Sequence, residues 1–165
     1  MHPRALELIA SLELAPHPEG GRFHEAFRAA EHVTSAQGER RPAATHIYFL
    51  LADGEHSRWH RVAHDEIWNA YEGDMLELAW IAPDWSGIER RLLGPVAPGQ
   101  APTAVVPGGC WQRALTLGAY SLAGCTVAPG FDFADFGLLS DHPDAESRLR
   151  QAFPDEARFL VSASS

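Results

Sequence analysis

Residues 54–73 read GEHSRWHRVAHDEIWNAYEG, and this stretch decides how the rest of the chain is interpreted. Gly54 and Gly73 bound two short runs of β-forming residues, which are separated by a tight connection. His60 lies in the first run and Glu66 in the second, so the pattern is expected to bring an imidazole and a carboxylate together. The remaining chain is predicted to form the wall around this pair.

Short β-type runs also occur on both sides of this stretch. They recur about every 8–12 residues with Pro- and Gly-rich turns between them, and they cover residues 22–28, 45–52, 76–81, 88–93, 104–106, 111–117 and 120–127. Such spacing predicts an all-β sandwich or barrel rather than βαβ units. Residues 45–52 are apolar on both faces, which indicates a strand covered on both sides or at a subunit contact. The polar residues 29–43 are predicted to form a surface loop.

Two short helices are predicted at the periphery of this barrel. Pro3 suits the first position of a helix, because its missing N–H costs nothing there, and the first helix is expected over about residues 3–13. A second helix is expected over about residues 143–153. The chain length suits a single domain, 1–165, in which the barrel takes up about residues 22–139.

The charge balance limits the partners. There are 13 Lys and Arg against 22 Asp and Glu, which gives a net charge of −9. Because an acidic surface repels phosphate backbones, no nucleic-acid partner is expected. No apolar run approaches the roughly 18 residues that cross a bilayer, so no membrane partner is expected either. Glu7 and Glu13 interrupt the first residues, which lack a signal-type apolar core. The protein is therefore expected to be cytoplasmic.

Cys110 and Cys125 are the two cysteines, and they do not form a CxxC motif. One long-range disulfide is compatible with their spacing. Two reduced thiols are the expected state for a cytoplasmic protein.

The spacing of the central stretch resembles the first motif of the cupin superfamily, to which Gly54, His60, Glu66 and Gly73 correspond. Residues 107–112 are similar to the second motif, in which Pro-x-Gly is followed after two residues by histidine. This resemblance implies an all-β fold, the double-stranded β-helix or jelly-roll barrel.

Six further segments look like one branch of the cupins whose biochemical role is largely unassigned. They are HisProGluGlyGly (17–21), TrpHisArg (59–61), AspGluIleTrp (65–68), TyrGluGlyAsp (71–74), ProGlyGlyCysTrpGln (107–112) and AlaProGlyPheAspPhe (128–133). The branch is similar in fold to the dTDP-4-dehydrorhamnose 3,5-epimerases, which are dimeric cupins that work without a metal. That similarity implies a homodimer, but a shared fold does not transfer an activity.

The chain departs from the cupin pattern at two metal-ligand positions. Val62 replaces the second histidine of the first motif, and Gln112 replaces the histidine of the second. His60, Glu66 and the Gln112 amide are then the candidate ligands for a divalent transition metal, with His64 as a weaker candidate. An amide is a poor ligand for such a metal. A pocket without a cofactor is therefore the expected state, and a bound transition metal is the alternative.

His60 and Glu66 are the candidate catalytic residues. A carboxylate beside an imidazole fixes its tautomer and raises its basicity, which suits proton transfer near neutral pH. Abstraction of a proton next to a carbonyl needs such a base. The alternative for His60 is an interior histidine with satisfied hydrogen bonds.

Three more residues are candidate ligand-binding groups. Strand alternation from His60 predicts that Arg58 faces inward, where it would suit an anionic group, although an exposed arginine at a strand end is an equal alternative. Trp68 is expected beside Glu66, where it stacks on a ligand or fills the barrel. Gln112 is expected to face the same interior.

Two other segments are given structural interpretations. Gly20 and Gly21 are interpreted as a backbone turn that leads into the first strand. The three phenylalanines at 131–136 are expected to anchor a segment over the barrel, with Asp132 and Asp135 solvated.

Together these features predict a cupin that binds a small polar metabolite. The first hypothesis is an epimerase, isomerase or lyase that uses His60 and Glu66 as an acid/base pair. A non-catalytic module that senses or carries the metabolite is the alternative, and a metal-dependent dioxygenase is weakened by Val62 and Gln112.

Overall fold

The computed structural model describes residues 1–163 and consists mainly of β-strands. Its two α-helices are α1 (Pro3–Ser11) and α2 (Pro143–Ala152). The strands are, in chain order, β1 (Ala15–Pro16), β2 (Arg22–Arg28), β3 (His32–Thr34), β4 (Arg40–Pro42), β5 (Thr45–Ala52), β6 (His60–Arg61), β7 (Asp65–Gly73), β8 (Leu76–Ile81), β9 (Ile88–Leu93), β10 (Gln100–Ala101), β11 (Thr103–Val106), β12 (Trp111–Thr116), β13 (Tyr120–Ala128) and β14 (Gly137–Leu138).

Twelve of these strands form two six-stranded sheets. The first sheet has the order β1-β2-β5-β13-β7-β11, and the second has the order β10-β9-β8-β12-β6-β14. All neighbours are antiparallel except β10 and β9. The main core lies between the sheets, because residues of both, such as Phe49 and Trp68 from the first and Leu78 and Ala114 from the second, pack in one cluster. This arrangement confirms the predicted all-β jelly roll with short helices.

The helices cover the outer faces of the sheets, as predicted. Ala5 and Leu8 of α1 pack on Leu50 and Leu122 of the first sheet. The segment from residue 139 to residue 160, which includes α2, packs on the outer face of the second sheet against Trp59 and Trp111. Both tryptophans are buried between the second sheet and this segment, and they do not belong to the main core between the two sheets.

Several boundaries follow the predicted runs closely. Strands β2, β5, β8 and β9 begin and end where the sequence predicts. The prediction of a loop over 29–43 is wrong, because β3 and β4 form a hairpin there. Its turn is closed by hydrogen bonds from Gly38 N to Ser35 O and from Ser35 N to Glu39 O, which polar composition alone does not reveal.

Cys110 and Cys125 are free thiols buried in the main core. None of the helices in the part of the chain that the structure describes is long and apolar enough to cross a membrane.

Candidate functional site

A cavity of about 60 Å³ lies within the barrel. Two histidines and two glutamates on its lining form what we call the polar cluster: His17, Glu19, His60 and Glu66. Aromatic rings form much of the remaining surface, and we call them the aromatic wall: Phe23, Trp68, Phe131, Phe133 and Phe136. Glu25 and Arg28 of β2 also line the cavity and form an ion pair in which Nη2 and Oε2 are 2.6 Å apart.

His60 lies on β6 and is only 2% exposed. Its Nδ1 is 2.8 Å from the backbone carbonyl oxygen of Arg58. A carbonyl can only accept a hydrogen bond, so we infer that Nδ1 carries the proton and that Nε2 is the acceptor in the neutral ring. Nε2 lies 3.1 Å from Oε2 of Glu19. Burial lowers the pKa of His60 to about 4, so the ring is neutral at pH 7.

Glu19 reaches the cavity from the segment before the first long strand. Gly20 and Gly21 have φ angles of 110° and 68°, a backbone region that favours glycine. A Cβ on Gly20 would lie 2.8 Å from the carbonyl oxygen of His56, so this turn packs against the start of the central stretch. Burial, with a further contribution from the charge of Glu66, raises the pKa of the Glu19 carboxyl well above its usual range. Burial therefore favours the protonated form of Glu19.

Glu66 begins the buried part of β7 and is 6% exposed. Gln112 Nε2 donates a hydrogen bond to Glu66 Oε2, and Gln112 Oε1 accepts one from Trp68 Nε1 at 3.1 Å. Burial raises the pKa of Glu66 to about 7, although the Gln112 hydrogen bond acts in the opposite direction. Glu66 can therefore gain or lose a proton near neutral pH, while Gln112 holds its carboxyl group in place.

The last member of the polar cluster, His17, is surrounded by aromatic rings. It stacks on Phe133 and meets the edges of Phe23, Phe49 and Phe136. Burial, with a smaller effect of His60, lowers the pKa of His17 to about 3. The imidazole is therefore neutral across the physiological pH range.

The segment that carries three phenylalanines of the aromatic wall is fastened to the barrel at two points. Arg41 binds Asp135 through two hydrogen bonds of 2.7 Å. Phe131 N donates to Thr45 Oγ1 at 2.9 Å, and Arg28 donates to the carbonyl of Phe131 at 3.1 Å. The phenylalanines lie over the cavity as the sequence predicts, but Asp135 is not solvated, since its side chain is 16% exposed and ion-paired. Asp132 is exposed.

Replacing Asp135 with asparagine is expected to lower the free energy of unfolding by about 1.5–3 kcal/mol, because the buried Arg41 loses a charged partner. Amide hydrogen exchange in residues 130–137 should become faster. The matched control is Asp132→Asn, which keeps a side-chain oxygen for the cap on Ala134 N. Urea denaturation and hydrogen-exchange mass spectrometry measure both effects. Equal behaviour of the two variants would show that the Arg41 contact does not hold the segment.

The structure brings together only part of the predicted site. His60, Glu66 and Trp68 line the cavity, whereas Gln112 lies behind Glu66 and Trp68 and orients them. Within residues 1–163, His60 and Glu66 make no hydrogen bond with each other. They lie on strands of opposite sheets, and the partner of His60 is Glu19.

Two other predicted residues lie outside the cavity. Arg58 donates a hydrogen bond to the carbonyl oxygen of Pro18. Strand alternation does not apply to it, because β6 contains only His60 and Arg61. His64 lies in the connection between β6 and β7, half-buried, and its Nε2 has no hydrogen-bond partner among the described residues.

Sequence reasoning missed half of the polar cluster. His17 and Glu19 belong to HisProGluGlyGly (17–21), which shows no strand or helix periodicity. The available signal was the presence of two titratable side chains in a Pro/Gly-rich turn next to a predicted strand, since rigid scaffolds often present functional groups on such loops.

The residues at the cupin ligand positions do not fit a transition metal. Val62 places an apolar side chain in the cavity. The Gln112 amide oxygen already accepts the Trp68 N–H, and its nitrogen points to Glu66. Within the described part of the chain, no group of three or more His, Cys, Asp or Glu side chains is arranged to hold a metal ion.

The jelly roll with its site inside the barrel defines this chain as a cupin. Residues 6–139 match the family described as "Cupin superfamily (DUF985)", and the chain belongs to that family. No curated protein matches the chain significantly.

Solved structures of similar proteins cover almost the whole chain. A hypothetical protein from Leishmania major is 34% identical, with a TM-score of 0.83 over 98% of this chain and 99% of that one. A protein from Shewanella oneidensis is 32% identical, with a TM-score of 0.79 over 96% of each chain. A mutant form of oxalate decarboxylase from Bacillus subtilis is 12% identical, with a TM-score of 0.57 over 91% of this chain and 38% of that one. This last likeness concerns the fold alone.

Proposed function

We propose that the chain is an enzyme that moves a proton within a small polar carbonyl compound, as in epimerisation or isomerisation. The observation that supports this most directly is the placement of two buried carboxyl groups and a neutral imidazole, Glu66, Glu19 and His60, in one cavity. The two carboxyl groups differ in their partners, because Glu66 is held by an amide and Glu19 lies against an imidazole. Groups with such different surroundings suit the base and the acid of one reaction.

Glu66 is the general base in this proposal. Its carboxylate removes a proton from the carbon next to the carbonyl group, and the electron pair of the broken C–H bond forms a C=C bond. The π electrons of the carbonyl move to its oxygen, which gives an enolate. A pKa near 7 suits this role, because the base is partly ionised at working pH and still basic enough to take the proton.

Glu19 supplies the proton that completes the reaction, and His60 positions it. The raised pKa of Glu19 favours its protonated form, and its Oε2 lies 3.1 Å from the acceptor Nε2 of His60. It can donate its proton to the enolate, while the hydrogen bond from His60 Nδ1 to the main chain keeps the imidazole in place. Protonation of the enolate carbon by Glu19, on the face opposite Glu66, restores the C=O bond and gives the epimer. Solvent then takes the proton from Glu66 and returns one to Glu19. When the deprotonated carbon carries a hydroxyl group, protonation of the former carbonyl carbon instead, with transfer of the hydroxyl proton to the former carbonyl oxygen, gives the isomer.

The aromatic wall provides the apolar part of the binding surface. Trp68 and Phe136 flank the polar cluster, and Phe131 and Phe133 come from the fastened segment. They exclude water, which strengthens the electrostatic interactions in the cavity. The small cavity volume favours a small metabolite. The homodimer, the cytoplasmic location and the exclusion of nucleic acid and membrane partners stay predictions from the sequence.

Replacing Glu66 with glutamine is expected to slow hydrogen–deuterium exchange at the reacting carbon by at least about 100-fold, with ligand binding retained. Ligands are first found by a thermal-shift screen of nucleotide sugars, nucleotides and organic acids. Hits are then incubated in D₂O with wild-type protein, Glu66→Gln or His60→Ala, and exchange is followed by proton NMR. This assay detects proton abstraction without knowledge of the product.

Glu89→Gln is the control, because Glu89 is exposed on β9 and does not line the cavity. Binding without exchange in the wild-type protein would favour the non-catalytic binding module. Exchange that persists in Glu66→Gln would remove Glu66 from the role of base.

A further inference from the structure

We propose that His17 binds the carbonyl oxygen of the substrate through its Nε2–H group, and that the substrate is therefore a small compound with an uncharged carbonyl group. This inference rests on the proposed proton transfer. It adds a hydrogen-bond donor to the base and acid already described, and it assigns a role to a residue outside both cupin motifs.

Nδ1 of His17 has two contacts, the backbone N–H of Glu19 and, at 3.5 Å, Oε2 of the same residue. The shorter contact, with the backbone, sets the tautomer. The backbone N–H of Glu19 donates to Nδ1 of His17 at 3.3 Å. A backbone N–H can only donate, so Nδ1 is the acceptor and the proton of the neutral ring is on Nε2. His60 has the opposite arrangement, because its Nδ1 donates to a carbonyl. The polar cluster therefore offers one imidazole donor and one imidazole acceptor.

The Nε2–H group of His17 has no hydrogen-bond acceptor within the described residues. The side chain is 6% exposed and lines the cavity. Within residues 1–163 its Nε2 makes no hydrogen bond, and protein atoms do not fully enclose it. Nε2 therefore reaches the open space of the cavity. A buried donor without an acceptor is costly, and a ligand oxygen at this position removes that cost.

The ring is also held rigidly. The centroid of His17 is 4.5 Å from that of Phe23, 6.0 Å from that of Phe49 and 5.9 Å from that of Phe136, in each case with the rings nearly perpendicular. A fixed donor needs little reorganisation when negative charge develops on a carbonyl oxygen, which is the requirement for stabilising an enolate. Its low pKa keeps the imidazole neutral, so it donates a hydrogen bond without becoming an acid.

The charges of the cavity favour an uncharged carbonyl over a carboxylate. The polar cluster contains no Lys or Arg, and both of its histidines are neutral at pH 7. Arg28, the one cation among the described lining residues, is already bound to Glu25 through two hydrogen bonds. Arg58 acts electrostatically on Glu19 and His60, but it lies outside the lining and donates to the carbonyl of Pro18. A ligand carboxylate beside Glu66 would thus meet a second negative charge with no unpaired cation among the lining residues that the structure describes.

The first experiment determines the tautomers in the ligand-free protein. Nitrogen-15 NMR of protein labelled at histidine distinguishes a protonated from an unprotonated ring nitrogen. We expect His17 to carry its proton on Nε2 and His60 on Nδ1 at pH 7. A His17 ring with its proton on Nδ1, or with both nitrogens protonated, would overturn the proposal.

The second experiment uses 4-nitrophenol as a probe that mimics an enolate. Glu66→Gln provides the uncharged form of the base, and binding of the coloured phenolate to it is followed by absorbance and by the His17 Nε2 resonance. Adding His17→Phe keeps an aromatic ring but removes the donor, and it should weaken binding at least about tenfold, or about 1.4 kcal/mol. Adding His17→Gln restores an N–H donor and should recover part of the affinity.

The outcomes separate this proposal from the proposed function. Unchanged probe binding in the His17→Phe protein, or no binding of the probe to Glu66→Gln, contradicts the donor role. If His17→Phe abolishes probe binding but the wild-type protein exchanges hydrogen for deuterium in none of the ligands, His17 is a hydrogen-bond donor and the proposed enzymatic function is wrong. If hydrogen–deuterium exchange is as fast in His17→Phe as in the wild-type protein, the enzymatic function stands and the donor role of His17 is wrong. If His17→Phe fails to fold, the wild-type tautomer and the His17→Gln affinity decide.

Discussion

Replacing Glu156 with alanine is expected to lower the free energy of unfolding by about 3–5 kcal/mol. Arg113 on β12 is 1% exposed, and Glu156 accepts hydrogen bonds from its Nε at 2.8 Å and its Nη2 at 3.2 Å. Burial alone would raise the pKa of Glu156, but its bonds with Arg113 and Arg90 bring about a net lowering. Without Glu156, the one carboxylate that still pairs with the buried guanidinium, among residues 1–163, is the partly exposed Glu77, 2.8 Å from Nη2.

Urea denaturation measures this loss, and Glu89→Ala is the matched control. Glu89 also pairs with an arginine, but its side chain is 61% exposed, so removing it should change the free energy of unfolding by less than about 0.5 kcal/mol. A loss of less than about 1 kcal/mol for Glu156→Ala would mean that Glu77 and the rings around Arg113 are sufficient to hold its charge. A large loss would show that this buried network fastens the C-terminal segment to the strand that also carries Gln112.

Replacing Glu66 with glutamine is expected to stabilise the protein progressively, relative to wild type, as the pH rises from about 4.5 to about 7. The folded protein holds a proton on Glu66 up to a pKa of about 7, whereas the unfolded chain releases it at the ordinary value of 4.5. The folded state thus binds more protons in this interval, so the wild-type free energy of unfolding falls as the pH rises. The contribution is fully present below pH 4.5 and is lost as the pH passes through 7.

The free energy of unfolding of Glu66→Gln, measured relative to wild type, should rise by about 1.4 kcal/mol per pH unit. Over the whole interval from pH 4.5 to 7 the rise is about 3 kcal/mol. The groups that line the cavity with Glu66 or contact it are His17, Glu19, Glu25, Arg28, His60, Trp68, Gln112 and Cys125. The lowered pKa values of His17 and His60 give a dependence of opposite sign, with stability present above pH 6.5 and lost toward pH 3–4. The difference between variant and wild type cancels the contributions of His17 and His60, whose pKa shifts do not depend on the charge of Glu66. It still includes the accompanying change in Glu19, whose pKa the charge of Glu66 raises.

Denaturation of both proteins at several pH values between 4.5 and 7.5 provides the test. Glu72→Gln is the control, because Arg4 holds the pKa of Glu72 near 2 through side-chain hydrogen bonds. Its contribution is present above pH 4.5 and lost only below that, so its difference from wild type should be flat between pH 5 and 7. A flat difference for Glu66→Gln as well would mean that Glu66 is ionised in the folded protein throughout this range.

The barrel could be predicted from the sequence because the long strands are alternating or apolar runs, and all of them except β2 have Pro or Gly at their last residue or within the next two. Strand β5 is a clear case, since its eight apolar or half-polar residues are covered by the core on one face and by α1 on part of the other. The hairpin of β3 and β4 could not be predicted in this way. Its six residues bury little apolar surface, and their pairing depends on a turn rather than on a hydrophobic pattern.

In the candidate site too, residues within the motif could be predicted from the sequence, whereas residues brought in by the tertiary fold could not. The motif spacing placed His60 and Glu66 in one cavity, because it encodes the two strands that carry them. Nothing in that spacing encodes Glu19, which is about 40 residues earlier and reaches His60 only when the glycine turn packs on the barrel. Arg58 was predicted to face inward on the assumption of a continuous strand, and the short β6 removes that assumption.

The proton on His60 is placed by the main chain. Its acceptor is the carbonyl oxygen of residue 58, and every amino acid at that position would offer the same carbonyl. Substitutions at position 58 can therefore change the surface of the protein without changing which imidazole nitrogen faces Glu19. The tautomer of this histidine therefore depends on the course of the main chain. Relatives with the same main-chain path can differ in the surrounding side chains and still have the proton on the same nitrogen.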